Sequence, residues 1–174
     1  MKLSYEQMRT PEGADNVAMC HDQQSKGTPA DMRIAFEHYL AAAEGSIAQA
    51  QFAVSEMYYR GEGTDKRQPE KAVYWYRKAA EQEYVKAIAD LAKMHWRGDG
   101  LPVRKENAIA AYFLLKNAQV KAVQTGEDKA EMEQKYHLSE MIAQLENKMP
   151  PDVRKNIPKL EQELADKPTK DLTD

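Results

Sequence analysis

The stretch Lys71–Gly100, KAVYWYRKAAEQEYVKAIADLAKMHWRGDG, decides the architecture. In its first half Ala72, Trp75, Tyr76, Ala79 and Ala80 stand at i, i+3, i+4, i+7 and i+8. That spacing puts them on one stripe of a helix. In its second half Ala87, Leu91, Met94 and His95 form another stripe, and Gly98 follows where a helix would stop. A glycine just past the last turn takes the left-handed conformation without a Cβ penalty, so it closes the helix. The stretch therefore predicts two antiparallel helices. Small alanines on one let the aromatic rings of the next approach closely.

The same pattern recurs 37 residues upstream. MHWRGDG at Met94–Gly100 answers MYYRGEG at Met57–Gly63, and Ala35, His38, Tyr39, Ala42, Ala43 and Glu44 answer Ala72, Trp75, Tyr76, Ala79, Ala80 and Glu81. Ala50 and Val54 answer Ala87 and Leu91 in the same way. A third copy opens with Tyr112 and Phe113 and then decays, with Lys116 and Asn117 in the places of alanines. A fixed period of this length marks a stacked array in which no unit buries its stripe alone.

Composition agrees with helices. Ala is the commonest residue and Val, Ile and Thr are sparse. The chain has 174 residues, with 25 Lys plus Arg against 28 Asp plus Glu and a net charge of −3. Such a balance provides no long-range field for nucleic acid or an anionic membrane. No window approaches the roughly 18 consecutive apolar residues of a membrane span, and MKLSYEQMRTPEGADN at 1–16 has no apolar signal core. The expectation is a cytoplasmic protein unless a leader was trimmed. One cysteine, Cys20, excludes an internal disulfide and a multi-cysteine metal site.

Residues 71–81, with the pattern Lys-Ala-x-x-Trp-Tyr-x-Lys-Ala-Ala-Glu, and 87–100, with Ala-x-x-x-Leu-x-x-Met-x-x-x-Gly-x-Gly, resemble the Sel1-like repeat, a tetratricopeptide-type helical hairpin. The resemblance spans about residues 30–115. It implies a short right-handed α/α solenoid used for protein–protein contact. His38 in the place of Trp75 and Gln68-Pro69-Glu70 in the inter-helix loop depart from the pattern.

The expected organisation is an amino-terminal cap at 1–28, repeats at 29–120, carboxy-terminal capping helices at 121–166 and a disordered tail at 167–174. Leu138, Met141, Ile142, Leu145 and Met149 form one amphipathic helix ended by Pro150-Pro151. Val153, Ile157, Leu160 and Leu164 suggest a last helical segment, interrupted or kinked at Pro158.

Candidate chemistry is sparse. Gly61-x-Gly63 and Gly98-x-Gly100 follow helix C-termini, where carbonyls point outward, so they read as caps and not as phosphate loops. Cys20-His21 is the one nucleophile-like pair, but neighbours on a helix diverge by about 100°, which leaves the imidazole poorly placed for the thiol. His38, His95 and His137 show no metal-motif spacing, and Met57, Met94, Met141 and Met149 read as core fillers. No catalytic residue, metal or cofactor is expected.

A partner site is expected on the concave side, which the first helix of each unit lines in stacked hairpins. The period writes its rows as Glu37, Tyr74, Ala111; Leu40, Arg77, Leu114; and Ala41, Lys78, Leu115. Glu37, Leu40, Tyr74, Arg77, Lys78 and Leu114 are the candidates. An outward leucine marks either a partner groove or the seat of a terminal helix, and Leu40, Leu114 and Leu115 leave both open. The expected function is a non-catalytic module holding a protein or peptide, as a cytoplasmic inhibitor, an immunity protein against a toxin, or an adaptor. Acidic residues such as Glu37, Glu44, Glu62, Glu81 and Asp99 would suit an inhibitor facing a basic site. The alternatives are a self-assembling module, monomer or weak homodimer, and a hydrolase using Cys20.

Overall fold

The computed structural model describes residues 29–100, 106–124 and 137–164. Every regular element among the described residues is an α-helix: α1 (Pro29–Glu44), α2 (Ala48–Arg60), α3 (Pro69–Glu81), α4 (Val85–Arg97), α5 (Glu106–Gln124), α6 (Leu138–Lys148) and α7 (Pro151–Leu164). They fall into two compact units, Met1–Gln82 and Glu83–Asp174. The expected cap at 1–28, Cys20-His21 and the tail at 167–174 lie outside the described residues.

In the amino-terminal unit, α1 packs on α2 and α2 on α3. The buried side chains follow the stripes: Ala35, Tyr39, Ala42 and Ala43 on α1, Ala50, Val54, Met57 and Tyr58 on α2, and Ala72, Val73, Tyr76, Ala79 and Ala80 on α3. Ala35 and Ala42 on α1 and Ala72, Ala79 and Ala80 on α3 are fully enclosed, so the aromatic rings have room to interlock. Phe52 meets Tyr76 edge-on at 5.9 Å and Phe36 meets Tyr58 edge-on at 5.1 Å. Each such pair adds about 0.5–1.5 kcal/mol beyond its buried area. The Tyr76 hydroxyl also donates to Glu56 on α2, which lets a fully buried tyrosine keep its polar atom satisfied.

The turns repeat as closely as the helices. Gly61 ends α2 at φ 79° with its N–H on the Met57 carbonyl at 2.8 Å; Gly98 ends α4 at φ 69° with its N–H on the Met94 carbonyl. Gly63 and Gly100 are left-handed too, at φ 66° and 69°. Between the helices of successive copies, Ser46 and Glu83 adopt φ 66° and 62° despite carrying a Cβ. All three pairs are offset by 37 residues, so the period read in side chains is also a period in backbone conformation. Pro69 occupies the first turn of α3, where its missing N–H costs no helical bond.

The carboxy-terminal unit packs α4 on α5 and α5 on α6. Ala87, Ile88, Leu91 and Met94 are buried on α4; Leu138, Ile142, Leu145 and Met149 are buried on α6. The α6 stripe is thus consumed within this unit and is no free surface for a twin. On α5 the burial runs continuously through Ala111, Tyr112, Phe113, Leu114 and Leu115. A helix with one packed face does not bury five successive side chains; α5 does so because helices flank it. From α7 the Glu161 carboxylate accepts the Tyr112 hydroxyl at 2.8 Å, and on α6 the Ser139 hydroxyl accepts Gln119 Nε2 at 3.0 Å. Helix α7 runs from Pro151 to Leu164 with Pro158 inside it, so the proline does not interrupt the helix.

Candidate functional site

Helix α3 has one face spent on packing and another left open. Tyr74 stands at the centre of the open face with 54 % of its surface exposed, the largest aromatic exposure among the described residues. Its ring meets that of the half-buried Trp75 edge-on at 5.2 Å, so the tyrosine is braced although it is exposed. Lys71, Tyr74 and Lys78 lie at i, i+3 and i+7 and therefore share a side of the helix, with Arg77 next to them. Lys78 reaches Glu81 at 3.3 Å. Arg77 is half-buried, and its Nε is shut off from solvent with no acceptor.

On α1 the exposed Glu37 and half-buried Leu40 are the remaining candidates in this unit. Leu114, expected on the same row, is corrected by the structure: it is fully enclosed in the carboxy-terminal unit, as are Leu115 and Ala111. The outward row does not continue into α5, which packs against both α4 and α6.

One concavity within the amino-terminal unit went unread in the sequence. The α2–α3 loop folds onto α1, and a cleft of about 320 Å³ opens between them, lined by Arg33, Phe36, Tyr58, Thr64 and Lys71 among others. Gly63 makes the close approach possible: a Cβ there would lie 2.3 Å from the Met32 carbonyl oxygen and 2.8 Å from Phe36 Cβ. Phe36 and Tyr58 are its aromatic members. Across it Lys71 Nζ stands 5.1 Å from the Tyr58 ring, and Arg33 pairs with Asp65 at 2.9 Å on the rim. Burial raises the Tyr58 hydroxyl pKa, with the Glu44 charge adding to it, so the cleft floor is neutral at physiological pH. The signal in the sequence was Gly63 itself, whose second place in Gly-x-Gly had no capping duty left to perform.

Among the described residues no group of three or more His, Cys, Asp or Glu is placed to hold a metal ion. His95 is buried on α4, as its place on a stripe implied, and His38 is half-buried. Met57, Met94 and Met149 are in the core and Met141 is half-buried. No helix among the described residues is long and apolar enough to cross a membrane.

Helical hairpins repeating every 37 residues, with a braced exposed aromatic on one helix, define an all-α repeat protein of the solenoid class. The sequence model of the Sel1 repeat matches residues 11–46, 48–84 and 85–118, and the chain belongs to the Sel1-repeat family. Its second and third copies correspond to α2 with α3 and α4 with α5, the helix pairs that pack most extensively. Among solved structures, the chain is similar to a Sel1 repeat protein from Oxalobacter formigenes at 27 % identity and a TM-score of 0.59, covering 68 % of this chain and 47 % of that one. It is also similar in fold to c5321, a protective antigen of uropathogenic Escherichia coli strains displaying an SLR fold, at 21 % identity and a TM-score of 0.53, covering 86 % of this chain and 32 % of that one. The chain thus spans under half the length of either structure. No curated protein matches it. Sel1-repeat proteins generally serve as protein–protein interaction modules.

Proposed function

We propose that this chain is a non-catalytic interaction module that holds a protein or peptide on the outward face of α3, with Tyr74 as the anchor and Arg77, Lys78, Glu37 and Leu40 around it. The observation that carries this reading is Tyr74: a large aromatic, 54 % exposed, braced by Trp75 on a helix whose other face is locked into the core. Tyrosine and arginine supply much of the binding energy at interfaces, because a rigid amphipathic ring loses little conformational freedom on contact. The scaffold suits the task, since a face on a packed helix is held in place before the partner arrives.

The finer reading is a cytoplasmic inhibitor, an immunity protein against a toxin, or an adaptor, roles that a preformed binding face on a small scaffold can fill. The test is a comparison of the wild type with the double variant Tyr74→Ala/Arg77→Ala. Thermal stability nearly unchanged together with weakened capture of the partner from native lysate is the expected result. Capture at wild-type strength moves the site off α3.

A further inference from the structure

The charges on α3 say what kind of segment its open face receives. Each carboxylate on this helix already has a role. Glu70 stands in the first turn, where the helix dipole favours an anion, and Glu81 is taken by Lys78 at 3.3 Å. On the facing rim Asp65 is taken by Arg33. On α3 itself Lys71, which rests over the Tyr58 ring, and Arg77, whose enclosed Nε has no acceptor, have no carboxylate partner among the described residues. They lie on either side of the exposed Tyr74, one turn before it and one turn after it. A guanidinium holding an unsatisfied donor gains by swinging out to a carboxylate, which it can grip through two parallel N–H bonds.

Resting on the reading above, we propose that the α3 face takes an acidic peptide segment of a protein partner. Its carboxylates meet Arg77 and Lys71, an apolar side chain between them lies on Tyr74, and the next apolar side chain enters the cleft over Phe36 and Tyr58. The cleft is open to solvent, and Phe36 and Tyr58, which meet edge-on, are the aromatic surface within its mostly polar lining. The cleft lining carries Arg33 and Lys71 against Glu37 and Asp65, so its charges balance and an uncharged side chain suits it, while acids belong over α3. A nucleic acid fits less well, because two cations within a chain of net charge −3 do not hold a continuous run of phosphates.

The test is selection of a random dodecapeptide phage library on the immobilised full chain, followed by titration of the most enriched sequence as a fluorescent synthetic peptide. The expected result is enrichment of sequences with two or more Asp or Glu around Phe, Trp, Leu or Met. Binding should weaken as salt rises and fall at least tenfold for the variant Lys71→Glu/Arg77→Glu, with a comparable loss for Tyr74→Ala. Circular dichroism checks that each variant is folded, and Lys71→Gln/Arg77→Gln replaces the charge reversal if that one unfolds. Peptides without acidic enrichment, no enriched peptide at all, or tighter binding of a single-stranded oligonucleotide at the same face overturns the proposal. If Tyr74→Ala abolishes binding and the charge variants do not, the face stands and the acidic chemistry falls. If neither matters, the face falls as well.

Discussion

Gln82, just beyond the end of α3, donates its Nε2 to the Oε1 of Gln51 on α2 at 2.8 Å, while Gln51 in turn donates to the Ala43 carbonyl on α1 at 3.1 Å. A buried glutamine thus ties three helices of the amino-terminal unit at one end. Gln51 is 3 % exposed, so water cannot replace its bonds. Replacing Gln51 by Ala leaves the Ala43 carbonyl with the Ser46 N–H alone, takes the acceptor from Gln82 Nε2, and is expected to cost about 1–2 kcal/mol. Urea unfolding followed by circular dichroism measures it; an unchanged midpoint would show that the bridge contributes nothing net.

The left-handed positions predict changes of opposite sign. At Gly63, Ala meets the Met32 carbonyl oxygen and Phe36 as well as the φ penalty, so Gly63→Ala is expected to destabilise by about 2–4 kcal/mol. At Ser46, which holds φ 66° with its side chain exposed, Gly removes strain, so Ser46→Gly is expected to leave stability equal or raise it by up to about 1 kcal/mol. Thermal melts of the two variants against the wild type check both signs.

Tyr112 sets an alkaline limit. Burial raises its pKa above the usual tyrosine range, with the hydrogen bond to Glu161 and the Glu161 and Glu146 charges adding to the shift. The folded state therefore holds the phenolic proton more tightly than the unfolded state. The associated stability is complete below about pH 10, the unfolded value, and declines as pH climbs from there toward the folded value. Tyr112→Phe is expected to flatten that decline while weakening the hold of α7 at neutral pH. Unfolding free energies measured from pH 7 to 11 for both proteins provide the check, and parallel curves would contradict it.

The helices and their caps were legible because each is specified within its own stretch of the 37-residue period. Ala72, Tyr76, Ala79 and Ala80 are buried where the stripe put them, and Gly61 and Gly98 cap where a left-handed residue was required. What lay between distant segments was not legible. Leu114 and Leu115 occupy positions that face outward if the array continues, and their burial depends on α5 being flanked on more than one side, which one-unit periodicity does not encode. Gln51 gave no signal either, since a glutamine on a stripe acquires its role from the Ala43 carbonyl and Gln82 that folding brings to it. The cleft is of the same kind, because it exists only once the α2–α3 loop lies on α1. Of the candidate face, Tyr74 is exposed as its place opposite the stripe required, while Lys71 gives no row signal, since Ile34 and Ala108 stand at its 37-residue offsets.

The binding role of the α3 face is tested most directly by placing p-benzoylphenylalanine at Tyr74 and, in a separate protein, at Val120, an exposed apolar position on α5 that lies outside the proposed site. Irradiation in native lysate followed by mass spectrometry reads which position contacts a partner. A discrete cross-linked protein at position 74, absent at position 120 and suppressed by Arg77→Glu, is the predicted result. A cross-link at position 120 with none at 74 would contradict it.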